Sequence, residues 1–323
     1  MGRYLIRRTL FMILVLWIIS IATFLIFVKL PPGDPARNIA GKGATPENLA
    51  QIRVNFGLDQ PIHVQYLKFA KGLIPLPGFF LDEDVYYSWG NRQPVKHQIM
   101  ARFPITAILT AGSAVLWLLM GVPLGILSAV KRRSFADRAG ILFALIGVSA
   151  PTFWLGLVFL YVFFFKLGWA PPSGLEIGDP LWRSVLDGKF ILPWVTLSIT
   201  SAAFYTRMVR GNMLEVLSED YIRTARAKGL SERRVTYRHG LRASLTPVVT
   251  MLGLDVALLL GGAVITEQVF ALRGLGAYAI NSLQALDLPP VMGVTILAAI
   301  FIVVANLVVD IVYAALDPRV RFT

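Results

Sequence analysis

FPITAILTAGSAVLWLLMGVPLGILSAVKRRSFADR, running from Phe103 to Arg138, decides what kind of fold this chain has. Phe103 to Val130 contains no charged residue. A helix of about 20 such residues already crosses a hydrocarbon core of roughly 30 Å, so this run reads as a transmembrane helix. It ends abruptly in Lys131, Arg132 and Arg133, with Arg138 close behind. Positive charge of this density in a short connection marks the cytoplasmic side of a membrane.

The pattern recurs on both sides of this stretch. Thr9 to Val28, Ala139 to Phe165, Ala243 to Thr266 and Leu288 to Ala315 are further candidate spans, the last two interrupted by Asp255 and Asp310. A shorter run from Phe190 to Thr206, carrying Pro193, makes a sixth, tilted or extended by a turn at its ends. Composition agrees, because 56% hydrophobic residues over 323 positions exclude a soluble protein. The net charge of +12 lies between apolar spans rather than on one soluble face, so nucleic acid is not the expected partner. With no Cys and three scattered His, disulfides, thiolate sites and a metal centre are not expected. Arg3, Arg7 and Arg8 before an apolar run imitate a signal peptide, but the run is long and lacks a small-residue cleavage site, so it reads as a retained span.

Basic residues at the N-terminus, at Lys131 to Arg138, from Arg207 to Arg242 and at Arg319 and Arg321 fall on one side of this arrangement. The expected fold is therefore all-α and integral to the membrane, with six transmembrane helices and both termini in the cytoplasm. Residues 1–30 form the cytoplasmic N-terminus and first span, 31–102 an external subdomain, and 103–323 the core of the remaining spans. In the external subdomain Pro31 to Pro35 ends the first helix. Thr45, Pro46 and Glu47 start a helix that runs over Asn48 to Phe56 and stops at Gly57, and a second covers Ile62 to Gly72. The Gly-, Pro- and aromatic-rich stretch from Leu73 to Asn91 either meets a partner or packs on the membrane surface.

The internal segment from Arg207 to Leu245 is polar and basic yet patterned for helices. Tyr221, Ala225 and Gly229 recur at i, i+4 and i+8, which predicts a small-residue face for close approach by another backbone. Gly229 supplies a left-handed stop, and Ser231 with Glu232 starts the next helix. The plainer reading is a basic loop held by the positive-inside rule and anionic lipid. That reading explains the charge but not the helix, glycine, helix pattern.

The run Asp220, Tyr221, Ile222, Arg223, Thr224, Ala225, Arg226, Ala227, Lys228, Gly229, Leu230, followed by Arg238, His239, Gly240, Leu241 and Pro247, resembles the cytoplasmic "EAA" loop of binding-protein-dependent ABC permeases. It is most similar to the dipeptide/oligopeptide branch, where Thr-Ala replaces Glu-Ala. Tyr4 to Arg8, Pro32 to Pro35, Gly57 to Pro61, Val64 to Tyr66 and Asp317 to Arg321 resemble the first permease subunit of that branch, so the likeness covers nearly the whole chain. The stretch from Pro75 to Tyr87 departs from it by being bulkier and more acidic. The resemblance implies a multi-pass permease of a bacterial or archaeal cytoplasmic membrane. A second, homologous permease, two cytoplasmic ATP-binding subunits and an extracytoplasmic solute-binding protein would be its partners, besides membrane lipid. ATP and Mg would be bound by the partner subunits, and Tyr221, Thr224, Ala225, Ala227, Lys228 and Gly229 would couple to an ATPase. Peptide is the implied substrate, with metal, glutathione and sugar as alternatives within the family.

Asp255 lies mid-span, where a charge costs on the order of 3 kcal/mol, and therefore needs a protein-facing or wet setting. It either lines the translocation path, meeting a substrate amine, or makes an interhelical hydrogen bond. Asn306 and Asp310 are i, i+4 neighbours suited to structural bonding, and Glu267 marks a membrane interface. Gly121 and Gly125, and Gly261 with Gly262, permit close helix packing, and Pro151 kinks its span. No G-x-x-x-x-G-K-[ST] phosphate loop occurs, since Gly41, Lys42 and Gly43 lack the spacing, and no catalytic constellation emerges. The rival class is a self-contained secondary transporter or channel, which would need coupling charges at midplane and often internal repeats.

Overall fold

The computed structural model describes residues 2–29, 35–40, 45–55, 57–73, 81, 87–175 and 180–316. Several expectations fall outside them: the turn at Pro31 to Asp34, Gly41 to Gly43, most of Pro75 to Tyr87, and the closing Asp317 to Arg321.

In chain order the helices are α1 (Gly2–Phe24, continued as a π-helix over Leu25–Lys29), α2 (Pro35–Ala40), α3 (Pro46–Asn55), α4 (Ile62–Lys71) and α5 (Val95–Val130). Then come α6 (Phe135–Ser149), α7 (Thr152–Phe159, with a π-helix over Leu160–Lys166), α8 (Leu181–Leu186), α9 (Ile191–Val216) and α10 (Asp220–Ala227). The rest are α11 (Glu232–Arg234, followed by a π-helix over Val235–Gly240), α12 (Leu241–Ser244), α13 (Thr246–Leu260), α14 (Val264–Val269), α15 (Leu275–Gln284) and α16 (Leu288–Leu316).

The chain divides into two compact units. One comprises Met1–Thr106, Leu260–Val264 and Arg273–Val304. In it α1 leaves Leu10, Phe11, Leu14, Trp17 and Ile18 exposed, as a lipid-facing helix can, and buries Ser20, Thr23 and Phe24. Phe24 packs on α4 with ring centroids 5.6 Å from Tyr66 and 5.5 Å from Phe69, and the Ser20 and Tyr66 hydroxyls lie 2.9 Å apart. Leu81, Val95, Ile99, Leu275 and Met292 complete this core. The expected helices at Pro46 and Ile62 are present: Thr45 Oγ1 accepts from the Asn48 amide at 3.3 Å, and Gly57 is left-handed at φ +61°. Residues 87–91 fold back onto the buried Asp287, whose carboxylate takes the Ser88 hydroxyl and the Trp89 amide at 2.8 Å.

The second unit comprises Ala107–Leu259, Ile265–Leu272 and Ala305–Thr323. Its core joins α5, α9 and α13 through Trp117, Ile126, Tyr205, Val209, Met213 and Val248. Gly121 and Gly125 act here as expected. A Cβ on Gly121 would stand 3.0 Å from the Ala202 carbonyl oxygen, and one on Gly125 would stand 2.8 Å from that of Thr206. Only glycine lets α5 and α9 approach this closely.

Two expected spans need correction, and a third is extended beyond its apolar run. The run from Ala139 to Phe165 is two helices bent by 100°, Phe135–Ser149 and Thr152–Lys166. Pro151 lacks an amide hydrogen, and Ala150 before it is extended at φ −81°, ψ 121°, so the break is sharper than a kink. The run from Ala243 to Thr266 bends by 45° between Glu232–Ser244 and Thr246–Leu260. It then stops at Gly261, because Gly262 adopts φ +130° against Gly276, where a Cβ would lie 2.6 Å from the Gly276 Cα. The Phe190 to Thr206 run belongs to a 26-residue helix, α9, which is long enough to cross but rich in Thr, Ser and Arg. Among the described residues three helices are both long and apolar enough to span a membrane, Ile6–Val28, Val95–Val130 and Leu288–Ile311, or up to five if each bent pair is one span.

Candidate functional site: the segment between α9 and α13

After α9 the chain turns at Ser218, whose hydroxyl donates to the Glu215 carbonyl at 2.7 Å, and enters α10. Asp220 places a carboxylate in the first turn, where it complements the helix dipole and pairs with Arg223 at 3.1 Å. The Thr224 hydroxyl donates back to the Asp220 carbonyl at 3.0 Å, fixing its rotamer.

The end of α10 is a complete Schellman motif. The Leu230 amide bonds the Ala225 carbonyl at 3.3 Å, the Gly229 amide bonds that of Arg226 at 2.9 Å, and Gly229 sits at φ +75°. Leu230 then packs under the helix. Ile222, Ala225 and Val235 are buried together, with Leu217 and Leu230 against them. On the outside, Arg226 grips Glu232 with Nε 2.8 Å from Oε1 and Nη2 3.3 Å from Oε2. Exposed pairs contribute little, about 0 to 1 kcal/mol, so the apolar cluster holds the hairpin and the ion pair orients it. Ser231 occupies the expected cap position, but its side chain caps nothing.

Of the residues expected to couple, Tyr221, Thr224, Ala227, Lys228 and Gly229 are exposed. Ala225 is not: at 8% exposure it faces Ile222 and Val235 in the chain's own interior. The flat face expected from Tyr221, Ala225 and Gly229 is therefore replaced by one built on Tyr221, Thr224 and Lys228 at i, i+3 and i+7, with Ala227 beside it. Ala225 turns inward because Ile222, three residues earlier, is the apolar residue of α10 and sets which side is buried. Partial burial, then the Glu219 carboxylate, raise the Tyr221 phenol above its ordinary pKa. Sequence reading missed Ile222, Val235 and the Arg226 to Glu232 staple. The signal was there, in Ile222 and Val235, the two β-branched apolar residues between Glu219 and Gly240.

Elsewhere in this unit, Asp255 on α13 accepts the hydroxyl of the fully buried Tyr205 on α9 at 2.7 Å, the interhelical bond that was one of its two expected roles. Glu267, expected at an interface, is instead fully buried, in a turn closed by the Leu272 amide on its carbonyl at 2.8 Å.

Residues 121–322 match the family described as binding-protein-dependent transport system inner membrane component, and residues 1–110 match that of its N-terminal part. The chain belongs to this permease family. It is 40% identical over 322 residues, covering 100% of both chains, to the glutathione transport system permease protein GsiC of Salmonella paratyphi A. The same protein of Escherichia coli K12 is 39% identical over the same length. The permease also shares its fold with a chain of the MetNI methionine ABC transporter in inward-facing conformations, at a TM-score of 0.53 and 19% identity over 69% of this chain and 98% of that one. The resemblance to the dipeptide/oligopeptide branch thus holds. The permease is an inner-membrane subunit of an ABC importer and not itself an enzyme, and the secondary-transporter reading falls away.

Proposed function

We propose that this permease supplies half of the translocation pathway of an ATP-driven importer for short peptides. It crosses the membrane six times with both termini inside, α9 serving as the most polar span and each bent pair as one crossing. A second homologous permease forms the other half, two cytoplasmic ATPases bind ATP and Mg, and an external binding protein delivers the substrate. The relatives named for glutathione, itself a small peptide, support a peptide over a metal or sugar.

The observation that carries the coupling role is the exposed Tyr221, Thr224 and Lys228 face on a hairpin stiffened by Ile222, Val235 and the Gly229 cap. A surface docked in an ATPase transmits motion only if it moves as a rigid body, and this hairpin has its own small core to keep it one. Asp255, near mid-span, is the proposed contact for a substrate amine.

Uptake of labelled glutathione and of labelled di- and tripeptides into cells deleted for the chain, with and without its return, tests the substrate. Peptide uptake restored by the chain supports the reading, and restoration of metal or sugar uptake alone overturns it.

A further inference from the structure

A groove of about 540 Å³ runs between the last turns of α5 and the residues that follow α10, lined on one side by Pro123, Ile126, Leu127 and Val130 and on the other by Thr236 and Tyr237. Its rim carries Lys131, Arg233 and Glu232. The carboxylate of Glu232 is taken by Arg226, as described above, whereas among the described residues neither Lys131 nor Arg233 has an acidic partner. The groove is thus lined mostly by apolar residues and carries two cations without an acidic partner among the described residues. Leu127, Val130 and Tyr237 are 40%, 49% and 55% exposed, so the wall is open to whatever surrounds α5.

Depth selects the occupant. Pro123 to Val130 are the final turns of a helix long and apolar enough to span the bilayer, and Lys131 is the first charge after it. A cytoplasmic protein meets the rim but not that wall. A molecule with an acyl chain against Ile126, Leu127 and Val130 and a phosphate at Lys131 and Arg233 matches both. We infer that this groove is a binding site for an anionic phospholipid of the inner leaflet, seated beside the coupling hairpin. The inference rests on the proposed topology, which puts Lys131 inside. Lipid held there ties the end of α5 to Thr236 and Tyr237, so leaflet composition acts on the hairpin's anchorage.

The test is photocrosslinking in the complete importer. Val130→p-benzoylphenylalanine is incorporated, the complex is placed in nanodiscs of equal phosphatidylcholine and phosphatidylglycerol, and lipid adducts on this chain are weighed after irradiation. The expected result is enrichment of phosphatidylglycerol on the order of tenfold, abolished by Lys131→Gln with Arg233→Gln, while Leu119→p-benzoylphenylalanine on the exposed side of the same helix shows no preference. Equal adducts at Val130, enrichment that survives the double substitution, or an adduct to a partner protein instead of lipid each overturn the site. Sidedness is read separately. Because the chain has no cysteine, Arg132→Cys gives a unique position in it that an impermeant maleimide reaches only after spheroplasts are opened if the topology is right.

Discussion

Arg210 on α9 clasps Asp137 at the start of α6, with Nε 2.7 Å from Oδ1 and Nη2 3.1 Å from Oδ2. The same carboxylate accepts the Ser128 hydroxyl at 2.6 Å from α5 and the Arg133 amide at 2.8 Å. Asp137 is almost wholly buried and Arg210 mostly so. One carboxylate therefore binds three helices together just where α9 leads toward α10. Removing a charge from such a site strands its partner, and Asp137→Asn is expected to lower stability by about 3 kcal/mol. Thermal unfolding of the purified permease in detergent measures this. Ser128→Ala, which leaves the ion pair intact, should lose about 1 kcal/mol.

Gly229 has open space where a side chain would stand, with nothing within 4 Å of an added Cβ, so its requirement is conformational only. Gly229→Ala is expected to strain the cap by about 1 kcal/mol, Gly229→Asn by less, and Gly229→Val by more. Peptide uptake should fall from Gly229→Asn through Gly229→Ala to Gly229→Val while the amount of chain inserted in the membrane stays constant. Unchanged uptake in Gly229→Val would remove the coupling assignment.

The hairpin core and its outer face should separate experimentally. Ile222→Ala opens a cavity, costing about 2 to 4 kcal/mol locally, and should expose residues 219–240 to limited proteolysis. Thr224→Trp changes only the exposed face. It should leave proteolysis as in the parent chain yet abolish co-purification of the ATPase.

Tyr205→Phe deletes the hydroxyl that Asp255 accepts and leaves a half-buried carboxylate short of a donor. An expected loss of about 1 to 3 kcal/mol follows, visible as a lower unfolding temperature. Asp255→Asn keeps an acceptor for the hydroxyl and should be milder in stability. If Asp255 also meets a substrate amine, Asp255→Asn raises the KM for uptake where Tyr205→Phe does not.

The membrane character of the chain, the helix starts at Pro46 and Ile62, the Gly229 stop and the permease likeness were all legible in residue order. Each rests on local physics: the length of an uncharged run, the missing amide of proline, the left-handed backbone open to glycine. What residue order did not reveal depends on which side of an element meets another. Periodicity put Ala225 on an outward face, but Val235, beyond the Gly229 turn, packs with Ile222 and Ala225 in one buried cluster. Hydropathy joined Ala139 to Phe165 because a count of apolar residues is blind to direction, whereas Pro151 turns the chain by 100°. Asp137 joins three helices only because α9 brings Arg210 to it. Solvent preference is a property of each residue and can be read singly, while packing is a property of pairs and exists only once the chain has folded.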